Sequence, residues 1–350
     1  MKVLLVGVGE SYHIGAFFRR ALEELGHDVV FVDEGGYVTN RAGEALAYRL
    51  FDKKPLRYRS FNRDLVNAAA KFQPDVLLAT KGSFIAPEAL AELKRRTAAV
   101  LINYATDDPF NRRTSGRHLV NAIRYYDLYV CTKRAIMQDV RLAGSPNAVF
   151  IPFGYEPSMH YPEQPLTDED KARYSSDVAF IGGADPDRYP FFEALLDAMP
   201  ELNLHLYGGY WDRHPRLKKY HRGFAIGREY RLVIAGTKIA PCLVRRANRD
   251  GHVMRTFEIP ACGGFMLHER TPELLELYDE GKEVACFRSP QELAEKVQYY
   301  LAHPAERDVI ARASYARCVP AYSYDNRLRQ VLGRAENLAM DQAEAALVSN

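Results

Sequence analysis

The residues best suited to chemistry gather late in the chain, in the stretch M-R-T-F-E-I-P-A-C-G-G-F-M-L-H-E-R from Met254 to Arg270. Glu258 falls in the first turn of a short helix, where a carboxylate can accept hydrogen bonds from two vicinal hydroxyls, as acids do for ribose in doubly wound folds. Arg255, three residues earlier, can bring positive charge to a phosphate at the same helix start. Thr256 reads as the N-cap, and Pro260 as a first-turn residue whose missing N–H would have had no partner, so the helix must be short. Gly263 and Gly264 stop it, and Phe265-Met266-Leu267 runs on as a buried strand of a parallel sheet. A plainer reading makes Glu258 a complement to the helix dipole and Arg255 its solvated partner; spacing alone does not separate the two.

Other candidates stand where strands give way to loops. Asp177 to Ile181 is an apolar strand ending in Gly182-Gly183, and glycines there let backbone N–H groups approach phosphate oxygens, with Arg188 near in sequence to add charge. Asn203 to Tyr207 runs into Gly208-Gly209-Tyr210-Trp211, which puts aromatic rings at another strand exit, where they can stack on a base or sugar or fill the core. Asn103-Tyr104-Ala105-Thr106-Asp107-Asp108-Pro109 places two carboxylates at a strand's carboxyl end, able to pair with substrate hydroxyls, to act as a base, or simply to cap a turn. His13 lies in the first loop on the same sheet edge, and His118 reads as packing. Asp185-Pro186-Asp187 looks like a metal-binding D-x-D, but aspartates flanking a proline are more simply turn residues, and no metal site is expected.

These positions need a scaffold of alternating strands and helices. Lys2 to Val6, Val29 to Val32, Val76 to Ala79, Val100 to Asn103, Leu128 to Thr132 and Ala148 to Ile151 read as strands of a parallel sheet. Pro152, Pro157, Pro162 and Pro165 then punctuate a connection, and a second alternating series begins at Asp177. The expected organisation is a Rossmann-like domain over 1–152, a linker over 153–176, a second Rossmann-like domain over 177–332 and a helical tail over 333–350. The opening of the chain contains Gly7 and Gly9, but Tyr12 stands where a dinucleotide fingerprint needs glycine. A nicotinamide-dependent oxidoreductase, with Asp33 as its ribose acid, is therefore the weakest of three readings.

With 47 Lys and Arg against 45 Asp and Glu, the net charge of +2 points to neither nucleic acid nor membrane as a partner. The five cysteines, Cys131, Cys242, Cys262, Cys286 and Cys318, form no C-x-x-C pair and read as small core residues in a reducing cytoplasm. M-K-V-L-L-V-G reads as a first strand, not a signal peptide, and no apolar run is long enough for a membrane span.

The segments R-T-F-E-I-P-A-C-G-G, T-P-E-L-L-E-L-Y-D-E-G-K-E and S-P-Q-E-L-A-E-K-V-Q-Y-Y-L-A-H-P-A-E-R resemble the CgeB-like, spore-maturation type glycosyltransferases, which are similar to the retaining family 4 enzymes. The resemblance is specific from about Asp177 to Leu332 and looser in the first half, where S-Y-H-I-G-A and D-D-P match. It implies an α/β protein of GT-B architecture, two doubly wound domains facing across a cleft. It also implies transfer of a sugar from a nucleoside-diphosphate-sugar, as co-substrate, to an acceptor hydroxyl without metal or other cofactor. Glu258 would hold the donor ribose, like the second glutamate of the family's E-x7-E motif, with Asp250 standing where the first would be. Gly182, Gly183, Arg188, Tyr207, Gly208, Arg255 and Thr256 complete the implied donor side, and His13, Asp107 and Asp108 are candidates to orient or deprotonate the acceptor. The rival of another class is a catalytically silent sugar-nucleotide or glycan-binding protein of the same fold. The sugar, base, acceptor, anomeric outcome and oligomeric state are left open.

Overall fold

The computed structural model of the chain describes residues 1–38, 42–163 and 166–348; Pro165 of the connection and Ser349 and Asn350 of the tail lie outside them. Six strands, Lys2–Gly7 (β1), Asp28–Asp33 (β2), Val76–Thr80 (β3), Val100–Ala105 (β4), Leu128–Cys131 (β5) and Ala148–Phe150 (β6), form one sheet in the order β2-β1-β3-β4-β5-β6. Five more, Ser176–Ile181 (β7), Leu204–Tyr207 (β8), Thr237–Cys242 (β9), Met266–Glu269 (β10) and Ala285–Phe287 (β11), form a second in the order β11-β10-β9-β7-β8. All pairs are parallel, with registers such as Val3↔Val76 in the first and Val178↔Leu204 in the second. Helices covering both faces explain why β1, β3 and β4 are apolar almost without interruption.

The chain divides into two compact units, each with its own core. The first comprises Met1–Pro152, the short piece Ala247–Arg249 and the chain from Tyr324 on; the second comprises Phe153–Arg246 and Asp250–Ser323. Leu4, Leu77 and Leu101 pack under Phe61 and Leu90 in the first; Phe180, Leu206 and Leu267 pack with Phe192, Trp211 and Val297 in the second. The sequence expects the second domain to run to 332. Instead one helix, Tyr324–Val348, passes through that boundary within the first unit. Its buried stripe of Tyr324, Leu328, Val331, Leu332 and Ala335 continues across 332 without a break, and Tyr324 meets Phe18 edge-on at 5.4 Å.

Strand order reverses between β1 and β3 in the first sheet and between β7 and β9 in the second, and ligands of open parallel sheets bind at such points. The β7–β9 ladder reaches only to Val178↔Ile239; two residues on, Pro241 has no N–H to give.

Candidate functional site

At the exit of β7, Gly182 donates its N–H to the Tyr207 carbonyl at 2.8 Å and Ala184 donates to the Gly209 carbonyl at 2.9 Å. Gly208 has φ +123°, and a Cβ there would fall 2.5 Å from the Gly182 oxygen, so only glycine fits. Trp211, fully buried, donates its indole N–H to that same oxygen at 2.8 Å. The core ring therefore braces the glycine turn. Tyr207 contributes backbone to this edge; its ring is buried with Tyr174, Ala225 and Leu232.

Arg188 lies over this turn, 6% exposed. Its Nη1 donates to the Gly183 carbonyl at 2.7 Å and stands 3.4 Å from Asp185, while its Nε has no partner among the described residues. Burial, and then the neighbouring Arg255, push its pKa down to about 10. Arg255 donates Nε–H to the Ile181 carbonyl, and Arg245 pairs with Asp185 at 3.2 Å. Arg188 and Arg245 thus share the Asp185 carboxylate, while Arg188 and Arg255 hold carbonyls of Gly183 and Ile181 on either side of Gly182. Asp185-Pro186-Asp187 is here a turn: Asp185 accepts the Arg188 N–H at 2.9 Å and its carboxylate faces arginines.

The helix Arg255–Ala261 differs from expectation in two ways. Met254 is its N-cap; Thr256 lies inside the first turn, fully buried, its hydroxyl accepting the Val253 N–H at 3.0 Å and lying 2.8 Å from His268 Nε2. Burial lowers the His268 pKa to about 4, so that ring is neutral. Pro260 is in the helix interior, beyond the first turn, which deprives the Thr256 carbonyl of its usual donor; the Tyr278 hydroxyl supplies one at 3.0 Å. At seven residues the helix is short, so positive potential at its start comes chiefly from Arg255 and Arg188.

Glu258 is 7% exposed, and among the described residues none donates a hydrogen bond to its carboxylate; His160 Nε2 lies 3.8 Å from Oε1. Asp250, half-buried, donates its N–H to the Arg245 carbonyl at 3.3 Å. The residues after it are fixed from below: a Cβ on Gly251 would strike the Glu273 carboxyl, and His252 bonds that carboxylate at 2.8 Å while accepting the Phe153 N–H at 3.1 Å.

The edge of the first sheet is built differently. Asp107 pairs with Lys81 Nζ at 2.7 Å and accepts from Asn248 Nδ2 at 3.3 Å. Lys81 sits at φ +68° before Gly82, its carbonyl taken by Asn103 at 3.0 Å. Burial lowers the Lys81 pKa but the Asp107 charge and hydrogen bond outweigh it, so the net direction is upward. Asp108, 3% exposed, receives Arg249 through Nε at 2.7 Å and Nη2 at 3.0 Å, while its own N–H goes to Asn248 Oδ1 at 2.8 Å. Arg249 also reaches Asp139 at 2.7 Å. His13 is the open member, its side chain 43% exposed and 3.2 Å from Glu10. Asp33, the candidate acid for a nicotinamide ribose, accepts N–H groups from Gly9 at 3.0 Å and Gly35 at 2.8 Å and so closes its own loop. His118 is buried and 2.8 Å from the Ser83 carbonyl.

The structure therefore brings Gly182, Gly183, Gly208, Arg188 and Arg255 to one strand exit, and Asp107 and Asp108 to one loop of the first unit. Sequence reading did not find Lys81, Asn248 or Arg249 as partners of the two aspartates. The pairing of Arg249 with Asp108 spans 141 positions, and no local spacing announces it. Among the described residues no group of three or more His, Cys, Asp or Glu is gathered as metal ligands, and no helix is long and apolar enough to cross a membrane.

Residues 188–333 match a family described as glycosyl transferase-like. Over 282 residues, 73% of this chain and 80% of the relative, the sequence is 23% identical to the spore protein CgeB of Bacillus subtilis strain 168. Among solved structures, HepE of Anabaena in complex with UDP-glucose superposes with a TM-score of 0.66 at 15% identity, covering 96% of this chain and 100% of that one. Sucrose-phosphate synthase of Thermosynechococcus elongatus superposes with a TM-score of 0.67 at 13% identity, covering 100% of this chain and 99% of that one. At these identities the structural likeness is one of fold.

Proposed function

We propose that this chain, similar to CgeB and to glycosyl transferase-like proteins, is a CgeB-like glycosyltransferase that moves a sugar from a nucleoside diphosphate to an acceptor hydroxyl with arginines, and no divalent ion, neutralising the leaving group. The observation that carries this is the positive charge at the β7 exit, where Arg188 and Arg245 share Asp185 and Arg255 holds the Ile181 carbonyl just before the Gly182-Gly183 turn. A diphosphate would relieve their mutual repulsion and give the Arg188 Nε its acceptor. In the transfer, the bond between the anomeric carbon and the diphosphate oxygen breaks with its electron pair on that oxygen. The arginines stabilise the charge as it develops. The acceptor oxygen bonds to the anomeric carbon and releases its proton.

On the acceptor side, His13 and Asp107 are assigned to orienting the hydroxyl or taking its proton, and Asp108 to holding the loop that presents Asp107. Glu258, a buried carboxylate with no hydrogen-bond donor among the described residues, is assigned to the ribose hydroxyls, with Asp250 toward the sugar. A cytoplasmic setting agrees with five buried free cysteines. HepE is a structural neighbour solved with UDP-glucose, which makes UDP-sugars the first donors to try.

The test is calorimetric titration with UDP, GDP and dTDP, with and without EDTA, on the native protein and on Arg255→Ala. One diphosphate should bind, survive chelation and weaken by about 10- to 100-fold in the variant, the worth of a hydrogen bond to a charged group. Binding abolished by EDTA would remove the metal-independent mechanism, and no binding at all would remove the transferase assignment. Slow hydrolysis of the matching nucleotide-sugar without acceptor separates an enzyme from a silent binder.

A further inference from the structure

Behind Glu258 lies a group of buried polar side chains that the transfer itself does not use. The segment Glu156-Pro157-Ser158-Met159-His160 forms a tight turn in which the His160 N–H returns to the Glu156 carbonyl at 2.8 Å. The Glu156 N–H donates to His160 Nδ1 at 3.1 Å, and Ser158 holds the Glu156 carboxylate through its hydroxyl at 2.7 Å. Because Nδ1 accepts a backbone N–H, the ring proton of neutral His160 sits on Nε2, the nitrogen that faces Glu258 Oε1 at 3.8 Å. Burial lowers the His160 pKa despite the nearby Glu258 charge, which keeps this tautomer the working form.

Tyr230, from the helix Arg228–Gly236, packs edge-on against the His160 ring at 5.5 Å between centroids. Its hydroxyl is buried and has no hydrogen-bond partner among the described residues. Arg231, the next residue, ties the same turn down by donating to the Met159 carbonyl at 3.2 Å and to Glu163 at 2.7 Å. His160, Tyr230 and Glu258 are each more than nine-tenths buried. A buried hydroxyl and a buried carboxylate flanking the same histidine, each lacking a hydrogen-bond partner among the described residues, are costly unless a ligand completes the set.

We infer that His160 and Tyr230 are positioning residues for recognition of the donor ribose: they fix the Glu258 carboxylate so that it faces the 2′- and 3′-hydroxyls in one orientation, and thereby set ribose over deoxyribose selectivity. This rests on the assignment of Glu258 to the ribose, and the experiment keeps the two apart. Calorimetry measures the affinity of UDP relative to 2′-deoxy-UDP, and of GDP relative to 2′-deoxy-GDP, for the native protein, Glu258→Ala, His160→Leu, His160→Gln and Tyr230→Phe. A residue that merely supports the fold changes both members of a pair alike and leaves their ratio untouched.

The native ratio should be about tenfold or more, and about one in Glu258→Ala. It should fall at least about threefold in His160→Leu and in Tyr230→Phe, and return in His160→Gln, whose amide can donate from near the Nε2 position. Should His160→Leu not fold, Tyr230→Phe and His160→Gln carry the comparison. A native ratio retained in both Tyr230→Phe and His160→Leu overturns the positioning role while leaving Glu258 in place. A ratio retained in Glu258→Ala, or no binding of either pair, overturns the ribose assignment and this inference with it.

Discussion

The two sheets end in edges of opposite character. At the first, the carboxylates are saturated: Asp107 has Lys81 and Asn248, Asp108 has both arms of Arg249, and Asp33 has two backbone N–H groups. At the second, charges are left over among the described residues: Arg188 keeps an unpartnered Nε beside Arg255, and Glu258 receives no donor within hydrogen-bond reach. Folding alone selects against unsatisfied buried charge, so the buried Asp108 and the loop-closing Asp33 read as architecture, Asp107 keeps part of its side chain open beside them, and the second edge has the unspent charge that the proposed donor site requires. Motif reading treats both aspartates and both arginines as candidates of equal standing. Only the inventory of partners tells them apart.

That contrast can be broken or sharpened by experiment. The largest effect is expected at Glu34, which stands on the first edge, 1% exposed, accepting the Phe84 N–H at 3.1 Å; burial raises its pKa from 4.5 to about 7. A carboxyl whose folded pKa lies above its unfolded one holds its proton more firmly in the native state. Stability therefore falls as pH rises from about 4.5 to about 7, by about 3 kcal/mol, and levels off above. Urea unfolding across that range should show the slope, and Glu34→Gln should remove it; a slope that persists in the variant would place the titration elsewhere.

A smaller loss, about 2–3 kcal/mol, is expected for Asp108→Ala, at or below the lower end for breaking a buried pair because Arg249 is partly open to water. Thermal melting and nucleotide titration together decide the point. The comparison predicts a less stable protein with unchanged diphosphate affinity, and intact stability with lost turnover would instead make Asp108 part of the chemistry. The smallest effect belongs to His13→Ala. As an exposed side chain it should shift stability by no more than about 0.5 kcal/mol, so any fall in transfer rate at saturating donor reports on the acceptor directly. Unchanged transfer would take His13 out of the acceptor site.

Much of the fold was legible in sequence. Alternating apolar strands and amphipathic helices, punctuated by glycine at strand exits, give the strands of the two sheets, including Lys238 to Val244 and Glu283 to Phe287, and the break near Pro152, because period and turn chemistry are local properties of the chain. The candidates at Gly182-Gly183, Arg188 and Arg255 were likewise local, each within reach of a strand end. What stayed hidden depended on distant partners. Pro260 reads as a helix start until Tyr278 is seen supplying the Thr256 carbonyl with a donor, and Tyr324 to Leu332 reads as part of the second domain until Phe18 is seen beneath Tyr324.

The sequence by itself determined which residue types stand at the ends of the strands, since alternation and glycine placement are written along the chain. Tertiary structure decided which of those residues keep capacity to bind. A charge's partner can lie anywhere in sequence: Arg249 answers Asp108 across 141 positions, and Glu258 faces a histidine at 3.8 Å from a turn nearly a hundred residues earlier. Electrostatic satisfaction is a sum over neighbours in space, and only the folded chain fixes who the neighbours are.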